Sequence, residues 1–283
     1  GIECGLPIAA YGSADSDYLA CSWCDISLKS LSPPPRVSSP LVLDFTSLWA
    51  GPLAGRLLVD IGATVIKVES TDRPDGSRNG NQTFYDLMNG GKHCVGLNFK
   101  DSKDLKMLRT LVAKADIILE GSRPRALKQL GLDAEKLVTE MPGKTWVSIT
   151  AYGRYGDGAH RIGFGDDISV EAGLPALMEQ KYGSPSFVGD AIADPFTGLH
   201  AAFAAYAAYL SGGGLINLPM VNVLKHALNF GLSRKDETLP ALDGNIFPYP
   251  PRFAPSQAGV LGADTEHIRE SLTKGILHAH PTG

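Results

Sequence analysis

Cationic residues cluster beside short apolar runs. Lys67 lies near the end of TVIKVES (Thr64–Ser70), and Arg73 and Arg78 follow it. Lys92 and His93 open the run HCVGLNF, and Arg123 follows DIILEG. Arg and Lys at strand ends suit phosphate groups, because both donate charge-assisted hydrogen bonds. The same residues also read as a solvated basic rim. Carboxylates concentrate at Asp166, Asp167 and Asp190. A carboxylate in a Gly-rich loop can act as nucleophile or general base, and flanking glycines let a substrate carbonyl approach the backbone. Helix capping is the competing role for Asp166 and Asp167, and a turn is the competing role for Asp190. Cys21 and Cys24 form a lone C-x-x-C. A structural zinc site needs a second ligand pair at matching spacing, so no metal is expected. G-x-G-x-x-G, the P-loop, H-E-x-x-H, G-x-S-x-G and the kinase signatures are absent. Dinucleotide, P-loop, zincin, α/β-hydrolase and kinase readings therefore gain no support.

The elements that must position these residues alternate. LVLDFTS (Leu41–Ser47) reads as a buried strand. Leu53, Leu57, Leu58 and Ile61 then fall at helical offsets, Gly62 closes that helix, and TVIKVES is β-branched and strand-like. This is a βαβ unit, and its loop Trp49–Pro52 lies where such sheets bind ligands. The pattern continues with a strand at His93–Phe99, a helix at Asp101–Ala115 and a strand at Asp116–Gly121. A helix opens at Pro124, a second is capped by Asp133, and Lys144–Gly153 is a further strand. It predicts an α/β fold: an open, mostly parallel, Rossmann-like sheet flanked by helices. Gly153–Asp167 reads as a loop and Ile168–Gln180 as helical. Ala193–Leu210 is a long Ala-rich helix with Asp194 at its N-cap. LINLPMV is a strand, Asn222–Phe230 a helix, and EHIRESLTKG a closing helix. Residues 1–40, with the SPPPR run, read as an irregular arm or linker.

Composition bounds the partners. The chain has 283 residues, of which 43% are hydrophobic and 20% charged, which excludes wholesale disorder. Lys and Arg number 26 against 30 Asp and Glu, so a net charge of −4 announces no nucleic-acid or anionic-membrane partner. The most apolar stretch, Gly198–Leu210, is about 13 residues long and falls short of the 18 or more of a membrane span. No basic start followed by an apolar run suggests a signal peptide, and four cysteines fit a reducing compartment. A cytoplasmic location is the expectation.

The order of motifs resembles the family III CoA-transferases, the family of formyl-CoA transferase, carnitine CoA-transferase and α-methylacyl-CoA racemase. The likeness begins in LVLDFTSLWAGPLAGRLLVDIGATVIKVES. It runs through MNGGKHCVGLNFK, ADIILEGSRPRALKQLGL, WVSITAYGRYG and VGDAIADPFTGLHAAFAAYAAYLSGGG. APSQAGVLGADTEHIRESL resembles the segment that returns to the large domain. The resemblance implies a CoA-binding large domain over residues 41–232, a C-terminal return over 259–283, and a homodimer of interlocked chains. It implies an acyl-CoA and a carboxylic acid as substrates, with coenzyme A carried as substrate and no prosthetic group. CoA contacts would fall on Trp49, Ala50, Gly51, Lys67, Arg73, Asn89, Lys92 and Arg123.

Two departures accompany the likeness. Family transferases place an Asp nucleophile after a Gly–aromatic pair. Here Gly163–Phe164 is followed by Gly165, with Asp166 one place on. The racemase branch has a His where Phe164 stands, while its downstream Asp is matched by Asp190. Only about fifty residues separate Leu215 from Asp264, so the small domain is expected to be cut to a remnant over 233–258. The leading reading is an enzyme that moves CoA through an aspartyl intermediate, with Asp166 as nucleophile and Asp190 as acid/base or orienting group. A racemase-like isomerase using Asp190, and a catalytically impaired CoA-binding subunit, are the alternatives.

Overall fold

The computed structural model describes residues 4–12, 22–29, 39–233, 254 and 256–277. Cys21, the SPPPR run and most of the 233–258 stretch lie outside the described residues.

Six parallel strands make up most of the sheet among the described residues. They are β2 (Leu41–Phe45), β3 (Thr64–Ser70), β4 (His93–Leu97), β5 (Ile117–Glu120), β6 (Thr145–Thr150) and β7 (Gly214–Pro219). Each is a short apolar run, as expected for strands covered on both faces. The order is β1-β7-β6-β5-β2-β3-β4, where β1 (Asp25–Lys29) is antiparallel to β7 and every other pair is parallel. β1 lies within the segment expected to be irregular. DISLK mixes charged and apolar residues because it is an edge strand, which has one neighbour and a partly exposed surface.

Alternate side chains of one strand feed two cores. Val42 points to a cluster with Leu58 of α1 (Ala50–Asp60), Ala201 and Ala205 of α8 (Ala193–Leu210) and Val223 of α9 (Met220–Ser233). Leu41 and Leu43 point to the opposite cluster. There they meet Leu108 and Leu111 of α3 (Ser102–Lys114), Val138 of α5 (Ala134–Glu140) and Ile268 of α10 (Thr265–Lys274). Asp101 caps α3 by accepting from the amides of Lys103 (2.8 Å) and Asp104 (3.1 Å), and Asp133 caps α5 through Lys136 N (3.2 Å). Pro124 opens α4 (Pro124–Gln129) at its first turn.

Two local expectations change, and one helix is added. The added helix, α2 (Gln82–Asn89), is not among the expected elements; Asn81 starts it by accepting from Phe84 N at 3.1 Å, and Phe84, Tyr85, Leu87 and Met88 fall at helical offsets. The helical stretch after Gly163 is two helices, α6 (Gly165–Glu171) and α7 (Leu174–Tyr182). Gly173 breaks it at φ +86°, a value that favours glycine. The N-cap of α8 is Ile192, with Asp194 inside the first turn. Its carboxylate is taken up by another helix, as described below.

The two ends of the sheet differ. β1 is the outer strand beside β7, and the segment before α10 seals the other outer strand, β4. Asp264 accepts from Cys94 N (2.7 Å) and returns its own amide to Cys94 O (3.0 Å), while Thr265 Oγ1 accepts from Gly96 N (3.0 Å). Among the described residues no helix is long and apolar enough to cross a membrane.

Candidate active site

The turn after β2 is built from beneath by charge. Asp44 is buried, and its Oδ1 accepts from Thr46 N at 2.9 Å and from the Thr46 hydroxyl. Its Oδ2 accepts from Lys92 Nζ at 2.8 Å, and Lys92 donates further to Pro52 O (2.8 Å) and Asn89 Oδ1 (3.1 Å). Burial alone would raise the Asp44 carboxyl, but the ammonium groups of Lys92 and Lys67 hold it below the usual range. Lys67 Nζ donates to Thr46 O (2.8 Å) and to Asp75 Oδ2 (2.9 Å). Asp75 Oδ1 accepts from Leu48 N (3.1 Å) and Ser77 N (3.0 Å). Leu48 holds φ +71°, an uncommon value for a residue with a branched side chain. Glycine then lets α1 close over the turn. A Cβ on Gly51 would stand 2.2 Å from Thr46 Cβ, and one on Gly55 would stand 2.7 Å from Asp44 Oδ2.

Above this turn lies a cavity of about 280 Å³ at the carboxyl ends of β2, β5 and β6. Thr46–Leu48, Gly121–Pro124 and Ile149–Ala151 form three of its sides, and Gly158, Ala159 and Arg161–Phe164 line it as well. Arg73, Arg123 and Arg161 are its cations. The Arg161 guanidinium lies 3.4 Å from the centroid of the Tyr152 ring and pairs with Glu171 at 3.2 Å, which orients it. Asp194 is the one carboxyl among the described residues lining the cavity. Its Oδ1 accepts from Ala50 N, at the start of α1, at 3.3 Å. This contact depends on close helix packing, because a Cβ on Gly198 would stand 2.7 Å from Ala50 O. Burial pushes the Asp194 carboxyl up to about 6, against the amides of Ala50 and Gly165 and with the help of Asp166 and Asp167.

Of the residues expected to bind CoA, Ala50, Gly51, Arg73 and Arg123 line the cavity. Trp49 caps α1 from outside the lining and packs edge-on to Phe84, centroid to centroid 5.1 Å. Lys67, Lys92 and Asn89 are different: all three are buried beneath the wall with their polar atoms committed to protein partners. In this conformation they present nothing to a ligand.

The expected catalytic pair also lies off the cavity. Asp166 is exposed and accepts from Ala191 N at 3.1 Å, and Asp190 is exposed in the turn before Ala191. At Gly165 there is no room for a side chain. A Cβ there would stand 2.3 Å from Asp194 Oδ2 and 2.4 Å from Ala191 O. Asp167 reaches back to Phe164 N (2.7 Å) as a helix cap, leaving its Oδ2 buried without a hydrogen-bond partner among the described residues. Burial raises its carboxyl too. Two cavity residues escaped the sequence reading. Asp194 precedes a proline at a helix start and so reads as a cap. Arg161 sits in a stretch of turn residues with no strand beside it. Among the described residues no cluster of three or more His, Cys, Asp or Glu could hold a metal, and Cys4, Cys24 and Cys94 are free thiols.

An open α/β sheet with an arginine-rimmed cavity at its strand ends has the architecture and charge that suit an anionic small molecule. Residues 39–215 match CoA-transferase family III, and the chain belongs to that family. It is 33% identical to succinyl-CoA:glutarate CoA-transferase of Homo sapiens over 226 residues, 74% of this chain and 52% of that protein. It is 31% identical over 189 residues to succinate–glutarate CoA-transferase of Agrobacterium fabrum, covering 62% of this chain and 47% of that protein. The chain thus spans about half the length of these curated relatives. Among solved structures, Rv3272 from Mycobacterium tuberculosis superposes with a TM-score of 0.63 at 30% identity, covering 74% of this chain and 60% of that one. A CAIB/BAIF family protein from Brucella suis gives 0.60 at 28% identity, covering 71% of this chain and 58% of that one.

Proposed function

We propose that this chain carries the thioester site of a CoA-transferase, which moves CoA from an acyl-CoA to a carboxylic acid. The observation that carries the reading is Asp194, the one carboxyl among the described residues of a cavity whose other charged lining groups are arginines. Arg73 and Arg123 at the rim suit the phosphates of CoA, and Arg161 suits a substrate carboxylate. Ionised Asp194 attacks the thioester carbonyl, the C–S bond breaks, and CoA thiolate leaves an acyl–aspartyl anhydride. The thiolate returns to the aspartyl carbonyl and releases the donor acid. The acceptor carboxylate then attacks the aspartyl thioester and expels the thiolate, which takes the acceptor acyl group and restores Asp194. Amides at the N-termini of α1 and α6 face the carboxylate and favour negative charge there. The racemase reading draws less support, because a proton must be handled from two faces and no histidine lines the cavity among the described residues.

Asp167 is a second reading for the nucleophile. Its unpartnered Oδ2 lies 3.0 Å from where a Cβ on Gly163 would stand, just behind the cavity lining. Incubation with acyl-CoAs, trapping with hydroxylamine and peptide mass spectrometry decide between the two. An adduct on the peptide bearing Asp194, lost in Asp194→Asn, is the expected result. An adduct on the peptide bearing Asp166 and Asp167 moves the role there, and turnover by Asp194→Asn at the parent rate ends the assignment. The interlocked homodimer implied by the resemblance belongs to this reading. Exposed Leu199 and Phe203 on α8 support it, and light scattering tests it.

A further inference from the structure

The buried pair Lys67–Asp75 is not explained by stability. Both side chains are fully buried, and the desolvation cost of such a pair offsets most of its attraction. Its arms end on the cavity wall: Lys67 holds the Thr46 carbonyl and Asp75 holds the Leu48 amide. Between these two anchors the backbone passes through the φ +71° of Leu48. A non-glycine residue keeps such a conformation only when its surroundings over-determine it. Asp75 is itself braced, because its amide donates to Glu69 Oε1 (2.9 Å) and Glu69 is gripped by Arg78. Thr46, Ser47 and Leu48 all line the cavity.

We infer that Lys67 and Asp75 are positioning residues that clamp the Thr46–Gly51 wall and thereby set how tightly a CoA thioester is held. The inference rests on the functional reading above. It gives Lys67 a role beneath the site in place of direct phosphate contact. The clamp acts on binding geometry, so its loss raises KM more than it lowers kcat.

The test uses the full chain. Lys67→Met alone strands a buried carboxylate and can unfold the protein. The pair variant Lys67→Met with Asp75→Asn removes both charges and keeps an acceptor for the Leu48 and Ser77 amides. Amide hydrogen exchange over residues 46–51 reads the wall without any ligand, and calorimetry with free CoA reads affinity. In the pair variant, exchange across the wall is expected to quicken about tenfold, and CoA binding to weaken about tenfold, with the melting point within about 5 °C of the parent. Unchanged exchange in a folded pair variant overturns the clamp, whatever CoA does. Faster exchange with unchanged CoA affinity overturns the link to binding. A parent chain that binds no CoA overturns the functional reading, and with it the claim on affinity, while exchange still decides the clamp.

Discussion

At Asp194 the proposed role and stability pull in opposite directions. Its native carboxyl titrates at about 6, above the ordinary aspartate value of 3.8. Between those values the native protein keeps a proton that the unfolded chain has released, so stability falls as pH climbs through that window. The deficit is complete above pH 6 and amounts to at most about 3 kcal/mol. Asp194→Asn keeps an acceptor for the Ala50 amide and has no charge to bury. At pH 7 it should melt higher than the parent, by about 1–3 kcal/mol, with the difference gone near pH 4. Thermal melts across pH check this. Transfer should move the opposite way: kcat/KM rises through about pH 6 as the nucleophile ionises, and Asp194→Asn loses at least about a thousandfold.

At the scale of elements, close approach by glycine shapes the site. Gly51, Gly55 and Gly198 bring α1 down onto β2 and α8 against α1, and Gly165 leaves the start of α6 open to the Asp194 carboxylate. Gly165→Asp puts an aspartate directly after the Gly163–Phe164 pair, where the resemblance leads one to expect it. It should nonetheless lower stability by about 1–3 kcal/mol and restore nothing, because Asp194 and Ala191 O already fill the space. Urea unfolding and a transfer assay measure both effects. The strands and most helices were legible in the sequence, because apolar runs and caps such as Asp101 and Asp133 are local signals. The edge strand β1 was not, since its pairing with β7 is a distant event. At the site, Ala50, Gly51, Arg73 and Arg123 were legible from their place after strands. Lys67 and Lys92 were misplaced because a lysine reads as a surface cation. Only the fold reveals that Asp75 and Asp44 meet them in the interior. Asp194 was missed because its hydrogen-bond partner, Ala50, is 144 positions away.

For the molecule as a whole, net charge is a poor guide to the site. The chain carries −4, yet its cavity gathers three arginines around one carboxyl. CoA affinity should therefore fall as salt rises from about 0.05 to 0.5 M, with the Debye length shrinking below the span of the site. Arg123→Ala should raise KM for acyl-CoA roughly tenfold and flatten that salt dependence. The covered edge at β4 bears on how the chain is made. The outer side of β4 is closed by Asp264, 170 positions further along. At ribosomal rates of roughly 5–20 residues per second, the gap corresponds to about 10–30 s in which a formed β4 shows an unpaired strand to its neighbours. A chain stopped at residue 250 should sediment as aggregates where the full chain does not. The arrival of Asp264 and Thr265 at β4, rather than the assembly of the cavity, should therefore decide whether the newly made chain stays dispersed or joins a β-linked tangle.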